Sequence, residues 1–276
     1  MISASAAGRG AVSAGALRCW RGSWCWRGCF VLSGCTRPSL TQRRYRRASP
    51  ACSCHPRPCS CARRPVEAMS RRPADAVRRA GCDAAAARTL AGVSRTLLIP
   101  LYGRAHAARL LPEVHLEDPV ARDLVRRLGL SERDVGRDRF TLRLCIARSV
   151  VLERMLCSLL QAAPRPRTVV VLACGLDTLA QRLGTAHARW LCTDLPEVTA
   201  LRDRLLPPIA GIEHLGVMLP HGLDALGSRL GDEPPVFMLE GILPYLDPAA
   251  VAEVLGRLAA LAPRGGDLLV DSYHPA

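Results

Sequence analysis

"TVVVLACGLDTLAQRLG", residues 168–184, is the stretch on which the fold turns. Val169, Val170, Val171 and Leu172 are four successive apolar residues, three of them β-branched, preceded by the breaker-rich "APRPR". Such a run fits a strand buried on both faces, as in a parallel sheet. It ends in Ala173-Cys174-Gly175, small residues that let a backbone turn sharply and approach a ligand. Leu176, Leu179, Ala180 and Leu183 then fall at i, i+3, i+4 and i+7, the spacing of one helix face. Strand, small-residue turn and helix open a nucleotide-binding α/β unit, in which the turn amides face whatever lies over the strand's end. Gly175 is the turn's only glycine, and parallel sheets also make such corners without a ligand. Taken alone, the stretch leaves both readings open.

Downstream, strands and helices alternate. "RWLCTD" suits a second strand ending at Thr193 and Asp194, and Pro196 starts a helix bearing Val198, Leu201 and Leu205. A third, weaker strand is expected over residues 213–219 and a fourth over Val236–Leu239, closed by Glu240-Gly241. "DPAAVAEVLGRLAALAPRGG" follows, with Asp247 as N-cap, Pro248 as first helical residue and a stripe of Val251, Val254, Leu255, Leu258 and Leu261. "DLLVDSY" is the fifth strand. The alternation implies an α/β fold, a doubly wound Rossmann-like parallel sheet, and right-handed crossovers suggest the order 3-2-1-4-5. A ligand then belongs at the carboxyl ends of strands one and four.

Upstream, helical patterning starts near Ala84, with a break expected at Pro100. Asp118 and Pro119 cap a helix carrying Val120, Leu124, Val125 and Leu128, and a long helix covers residues 139–162. A helical lead-in of this length suits a lid, so the domain is divided into a lid over residues 86–165 and a core over 166–276. Residues 1–85 show no sustained period and read as a low-complexity leader. An organelle transit peptide and a soft-metal clip at Cys52, Cys54, His55, Cys59 and Cys61 are the alternatives, and Met69 offers another start.

The charge is unevenly spread. The chain has 38 basic residues, all arginine, and 24 acids. Residues 1–80 hold 16 of the arginines against two acids, and the remaining 22 and 22 cancel. The net charge of +14 therefore describes the leader, and it gives no support to nucleic-acid binding by the domain. Eight of the 13 cysteines lie in the first 61 residues. Cys82, Cys145, Cys157, Cys174 and Cys192 have apolar neighbours and no metal-ligand spacing, as small buried hydrophobes do in a reducing, cytoplasmic compartment. The six histidines beyond residue 100 show no metal spacing either. No apolar run reaches the length of a transmembrane helix.

Four segments gather at the sheet's carboxyl ends: the turn from Ala173 to Asp177, the Asp194 corner, the Met218-Leu219 segment and Glu240-Gly241. An acid about 20 residues beyond a glycine turn is where ribose hydroxyls are held, because a carboxylate accepts from two at once. "VVLACGLDTLA", "CTDLPEV" and "EGILPYL", with "TLLIPLYGRAHAARL", "LEDPVA" and "IARS" upstream, resemble the leucine carboxyl methyltransferase family, and within it the bacterial polyketide O-methyltransferases of tetracenomycin type. The resemblance covers about residues 89–272. It implies a class I S-adenosylmethionine-dependent methyltransferase transferring a methyl group to a carboxyl or hydroxyl of a small-molecule acceptor. By position it assigns Arg148 to the methionine carboxylate, Ala173, Gly175 and Asp177 to the cofactor turn, and Asp194 to the ribose. Leu219 goes to the adenine, Glu240 to the strand-four contact, and Arg104 and Tyr245 to the acceptor. It names no catalytic base and no metal.

Departures from the family pattern are equally specific. Ala173 stands at its first glycine, Leu179 at an arginine, Cys192 at a glutamate and Met218 at an aspartate. The family fold also continues past strand five through a helix and an antiparallel hairpin, so an uncovered last strand is expected here. A catalytically impaired binding module, or a fragment of such an enzyme, is the alternative function. An NAD-dependent oxidoreductase is weaker, since no G-x-G-x-x-G is present.

Overall fold

The computed structural model describes residues 24–34 and 96–275, residue 137 excepted. Its sheet has six strands: β1 (Trp24–Gly34), β2 (Arg167–Leu172), β3 (Ala188–Asp194), β4 (Ile212–Gly216), β5 (Val236–Leu239) and β6 (Gly266–Pro275). The last five are parallel and stand in the order β4-β3-β2-β5-β6, which is 3-2-1-4-5 counted from β2. β1 runs antiparallel along β6, with Trp24 opposite Pro275 and Gly34 opposite Gly266. The expectation of an uncovered last strand is thus overturned. That expectation rested on the family fold's continuation past strand five, whereas a pairing partner some 240 residues away leaves no local mark along the chain. The proposed metal clip, Met69 and Cys82 lie outside the described residues.

The helices are α1 (Leu98–Ala105), α2 (Ala107–Leu110), α3 (Pro119–Leu128), α4 (Glu132–Val135), α5 (Arg139–Ala162), α6 (Leu179–Leu183), α7 (Pro196–Leu205) and α8 (Pro248–Leu261). All six residues of β2 are buried, as the apolar run requires. Alternate side chains serve opposite faces. Val169 and Val171 pack with Leu152, Leu156 and Leu160 of α5. Val170 and Leu172 join Val254 and Leu258 of α8 on the other face. A third cluster joins α1, α3 and the first half of α5, where Leu101 and Ile146 are wholly buried, to Leu201 and Leu205 of α7. Truncating Leu101 to Ala would cost about 2–5 kcal/mol.

Local signals place most boundaries. Asp118 accepts the Ala121 N–H at 2.8 Å and Asp247 the Ala250 N–H at 2.8 Å, each ahead of a proline at the first helical position. Asp138 caps α5 by accepting the Phe140 N–H at 2.9 Å. Three expectations fail. The break expected at Pro100 falls instead at His106, between α1 and α2. Pro100 is the third residue of α1, within the first turn, where an N–H has no intrahelical partner to lose. The third strand stops at Gly216: the Val217 N–H makes the last ladder bond, to the Asp194 carbonyl, and the next residues turn through a Gly222-to-Met218 bond. The helix after the turn begins at Leu179, leaving Leu176 buried in the loop.

Candidate functional site

The turn after β2 is bent through two left-handed residues, Ala173 at φ 52° and Gly175 at φ 50°. At Ala173 this conformation costs roughly 1–2 kcal/mol, which glycine would not incur. A Cβ on Gly175 would meet Leu97 Cβ at 3.1 Å, so the segment just before α1 presses on the turn here. The Cys174 N–H bonds the Thr193 carbonyl at 2.9 Å. The Gly175 N–H donates to Asp194 Oδ2 at 2.7 Å, and the other oxygen of Asp194 accepts from Leu195 at 2.7 Å. Each oxygen keeps a lone pair free for a further donor. Burial pushes the Asp194 carboxyl above the usual range, against the opposing pull of its two N–H bonds.

Asp177 closes the turn. Its Oδ1 accepts from the Thr178 and Leu179 N–H groups at 2.7 and 3.2 Å, at the start of α6. Burial raises its pKa, but Arg104, Arg182 and Arg202 outweigh that and leave it lowered. Arg104, 3% exposed, donates to the Leu176 carbonyl at 3.0 Å and lies 3.7 Å from Asp118 and 3.6 Å from Asp177. Asp118, wholly buried, also takes the Thr178 hydroxyl and pairs with Arg182 at 3.2 Å. Arg182 reaches Glu153 on α5. One ionic net therefore ties α1, the start of α3, the turn and the long helix α5 together. Beneath the turn, Arg202 of α7 donates to the Gly175 and Asp177 carbonyls, both at 2.8 Å.

A second cluster sits where β5 ends beside the middle of β6. Leu239 is registered against Val270, which brings Glu240-Gly241 beside Asp271. Arg148, on α5, donates to Glu240 Oε1 at 3.0 Å and to Asp271 Oδ2 at 3.5 Å. The Ser149 hydroxyl joins it on Glu240 at 2.7 Å, and the Gly241 N–H bonds Asp271 Oδ1 at 2.6 Å. Gly241 has φ 69°, and a Cβ there would strike the Arg148 guanidinium at 2.8 Å. Only glycine lets the cation lie this close.

Leu219 packs partly buried at the end of the β4 side, next to Met218, which is 62% exposed. Tyr245, after β5, is half exposed. The structure thus brings Ala173, Gly175, Asp177 and Asp194 into one cluster and Arg148 with Glu240 into another. Arg104 is held in the net behind the turn. Three participants had escaped notice: Asp118, Arg202 and Asp271. Asp271 follows the apolar run Leu268-Leu269-Val270 much as Asp194 and Glu240 follow theirs, so that pattern could have found it. The sequence marks Asp118 only as a helix cap. For Arg202, a helical arginine like many others, no signal exists. Among the described residues no group of three His, Cys, Asp or Glu side chains could hold a metal ion. No helix among them is long and apolar enough to cross a membrane.

A parallel sheet in this order, with an acid bound to the first turn, is the architecture of the S-adenosylmethionine-dependent methyltransferases. The chain belongs to one of their families: the profile described as "Leucine carboxyl methyltransferase" matches residues 84–259. Tetracenomycin polyketide synthesis O-methyltransferase TcmP of Streptomyces glaucescens is 32% identical over 187 residues, 67% of this chain and 68% of that protein. The S-adenosyl-L-methionine-dependent methyltransferase dpfgK of Gibberella zeae is 30% identical over 185 residues, 62% of this chain and 61% of that one. The chain thus spans about two thirds of the length of these curated relatives. Human N-acetylserotonin methyltransferase, solved in complex with SAM, aligns at 15% identity and TM-score 0.30, over 59% of this chain and 45% of that one. So slight a likeness decides nothing about the fold, which the strand order defines.

Proposed function

We propose that the chain is an S-adenosylmethionine-dependent O-methyltransferase acting on a carboxyl or hydroxyl of a small molecule, with polyketide-type metabolites as the acceptor class. The 2.7 Å bond from the Gly175 N–H to Asp194 carries this reading, because it joins a small-residue turn to an acid on the neighbouring strand. A nucleoside needs both, one for close approach and one for its hydroxyls. The donor set also suits an amino-acid tail: Arg148 can donate to a carboxylate, while Glu240 and Asp271 can accept from an ammonium. The residues therefore fit the cofactor at both ends.

When bound, S-adenosylmethionine supplies an electrophilic methyl group on a sulfonium. The protein's part is alignment for in-line displacement. In this reading Asp194 takes the ribose, Leu219 the adenine, Arg148 and Glu240 the methionine end, and Ala173, Gly175 and Asp177 form the floor. The helices of residues 96–165 act as a lid that limits water. Tyr245, open to solvent, is the acceptor-side contact; the burial of Arg104 favours a role behind the turn over contact with the acceptor. A carboxylate acceptor is ionised at neutral pH and needs no base, whereas a phenol with pKa about 10 gains from one. No side chain is assigned to that task. The polyketide class is suggested by the likeness to TcmP. Four buried, free cysteines favour a reducing compartment, the cytoplasm.

Left-handed Ala173 is the feature that favours the second reading, a binding module without turnover. Calorimetry of the full chain with S-adenosylhomocysteine and with NAD decides the cofactor. Binding of the first alone is expected, and failure to bind it would overturn the proposal. Transfer of labelled methyl to a panel of aromatic hydroxy and carboxylic acids then separates enzyme from module.

A further inference from the structure

Arg202 is wholly buried on α7. Among the described residues it forms no ion pair within 4.0 Å. Its Nη1 bonds two carbonyls of the turn, and its Nε has no hydrogen-bond partner. Its electrostatic neighbours are the thiols of Cys174 and Cys192, both kept protonated by burial, which raises their pKa values, and, beyond ion-pair distance, the carboxylates of Asp177 and Asp194. A buried guanidinium without a carboxylate partner is expensive unless dipoles replace one. Here the dipoles are the carbonyls of Gly175 and Asp177, which flank Leu176 within the left-handed turn.

The direction of those bonds matters. In a trans peptide the carbonyl and the following N–H point opposite ways. With the Gly175 carbonyl turned toward α7, the Leu176 N–H is turned away from it. The Gly175 N–H is meanwhile fixed on Asp194. Backbone in a sparsely populated conformation persists only where its surroundings over-determine it. Ala173 has such a conformation, and Arg202 is the side chain that grips the turn from below.

We propose that Arg202 is a positioning residue of the cofactor turn, setting the orientation of the Gly175–Leu176 peptide and the place of Asp194 without touching ligand. The inference rests on the S-adenosylmethionine reading for its effect on affinity, but its effect on the turn can be measured without ligand.

Arg202→Lys keeps the charge and loses the planar fork that spans two carbonyls. In the full chain it should weaken S-adenosylhomocysteine binding about tenfold, the size of one lost charged hydrogen bond. The KM for S-adenosylmethionine should rise by the same factor while kcat at saturation stays within about threefold. Hydrogen exchange in the free protein should quicken over residues 173–178 and stay unchanged in β3 and β5. A role in stability alone would lower the melting temperature and active fraction and leave KM where it was. If Arg202→Lys does not fold, Arg202→Gln, neutral and smaller, takes its place with the same expectations. Affinity within twofold of the parent, or unchanged exchange across the turn, overturns the proposal. Should the parent itself not bind S-adenosylhomocysteine, the cofactor reading falls, and exchange at residues 173–178 alone decides for or against Arg202.

Discussion

Arg148 and Arg202 are both buried arginines at the carboxyl edge of the sheet, one 6% exposed and the other 0%, yet their partners differ in kind. Arg148 lies between two carboxylates, Glu240 just after β5 and Asp271 within β6. Arg202 lies under the turn after β2 with two carbonyls for partners. A carboxylate cluster carries net charge and can exchange partners with a charged ligand. A carbonyl cage holds its cation through fixed backbone dipoles and fixes shape. The β5–β6 side should therefore respond to variants that remove charge, and the turn side to variants that change geometry.

The largest effect is expected from Arg148→Met, which leaves Glu240 and wholly buried Asp271 facing each other without a cation. Breaking a buried pair in this way costs about 3–5 kcal/mol, so the melting temperature should fall by roughly ten degrees or more. The same change made in a Glu240→Gln background should cost less, since one stranded charge is gone. Equal losses in the two backgrounds would show that the carboxylates are not what makes this side different.

Glu240→Gln by itself keeps an acceptor for Ser149 and removes the charge. Affinity for S-adenosylhomocysteine should drop about ten- to a hundred-fold, as for a lost charged hydrogen bond, with the melting temperature within a few degrees of the parent. Calorimetry and a thermal scan on one preparation check both.

Asp194 links the two sides, being a charge that serves the turn. Its raised pKa means that the folded chain takes up this proton more readily than the unfolded chain. Ionised Asp194 is then a burden on the free protein that lightens as pH falls toward and through the raised value. Asp194→Asn should consequently change stability little at neutral pH. Ligand binding should follow the opposite trend, because the protonated group loses acceptor capacity. Affinity of the parent for S-adenosylhomocysteine should weaken as pH falls toward and through the raised pKa of Asp194, and Asp194→Asn should be weaker throughout and flat with pH. A parallel pH profile in both proteins would remove Asp194 from the site.

Ala173→Gly should have the smallest effect and the opposite sign. Relief of the left-handed alanine gains roughly 1–2 kcal/mol, and the greater freedom of glycine in the unfolded chain takes back about 0.5–1 kcal/mol. A rise of about 2–4 °C in melting temperature is expected, with little change in affinity. A fall would mean that the alanine methyl makes contacts worth more than the strain.

Much of this architecture was legible along the chain. Short apolar runs marked β2 and β5, Asp118-Pro119 and Asp247-Pro248 marked the starts of α3 and α8, and the limits of α5 match the expected residues 139–162. These signals act within a few residues, where capping bonds and apolar spacing are settled. Pro100 shows the limit even of local rules, since the same residue breaks a helix interior and suits its first turn. Which of the two applies depends on where the helix starts.

What the sequence by itself determined, then, was the parallel sheet, its strand order, and the acids and small residues standing at its carboxyl edge. The tertiary structure alone decided how those groups are paired. Arg148 meets partners 92 and 123 residues away, brought together by the register of β5 on β6. Asp118 turned from a helix cap into the centre of an ionic net only once α1, α3 and α6 had packed. Arg202 differs from a solvated arginine only because α7 lies against the turn. The pairing of β1 with β6 joins segments at opposite ends of the chain. Such contacts depend on distances set by packing, and spacing along a sequence does not encode distance between elements.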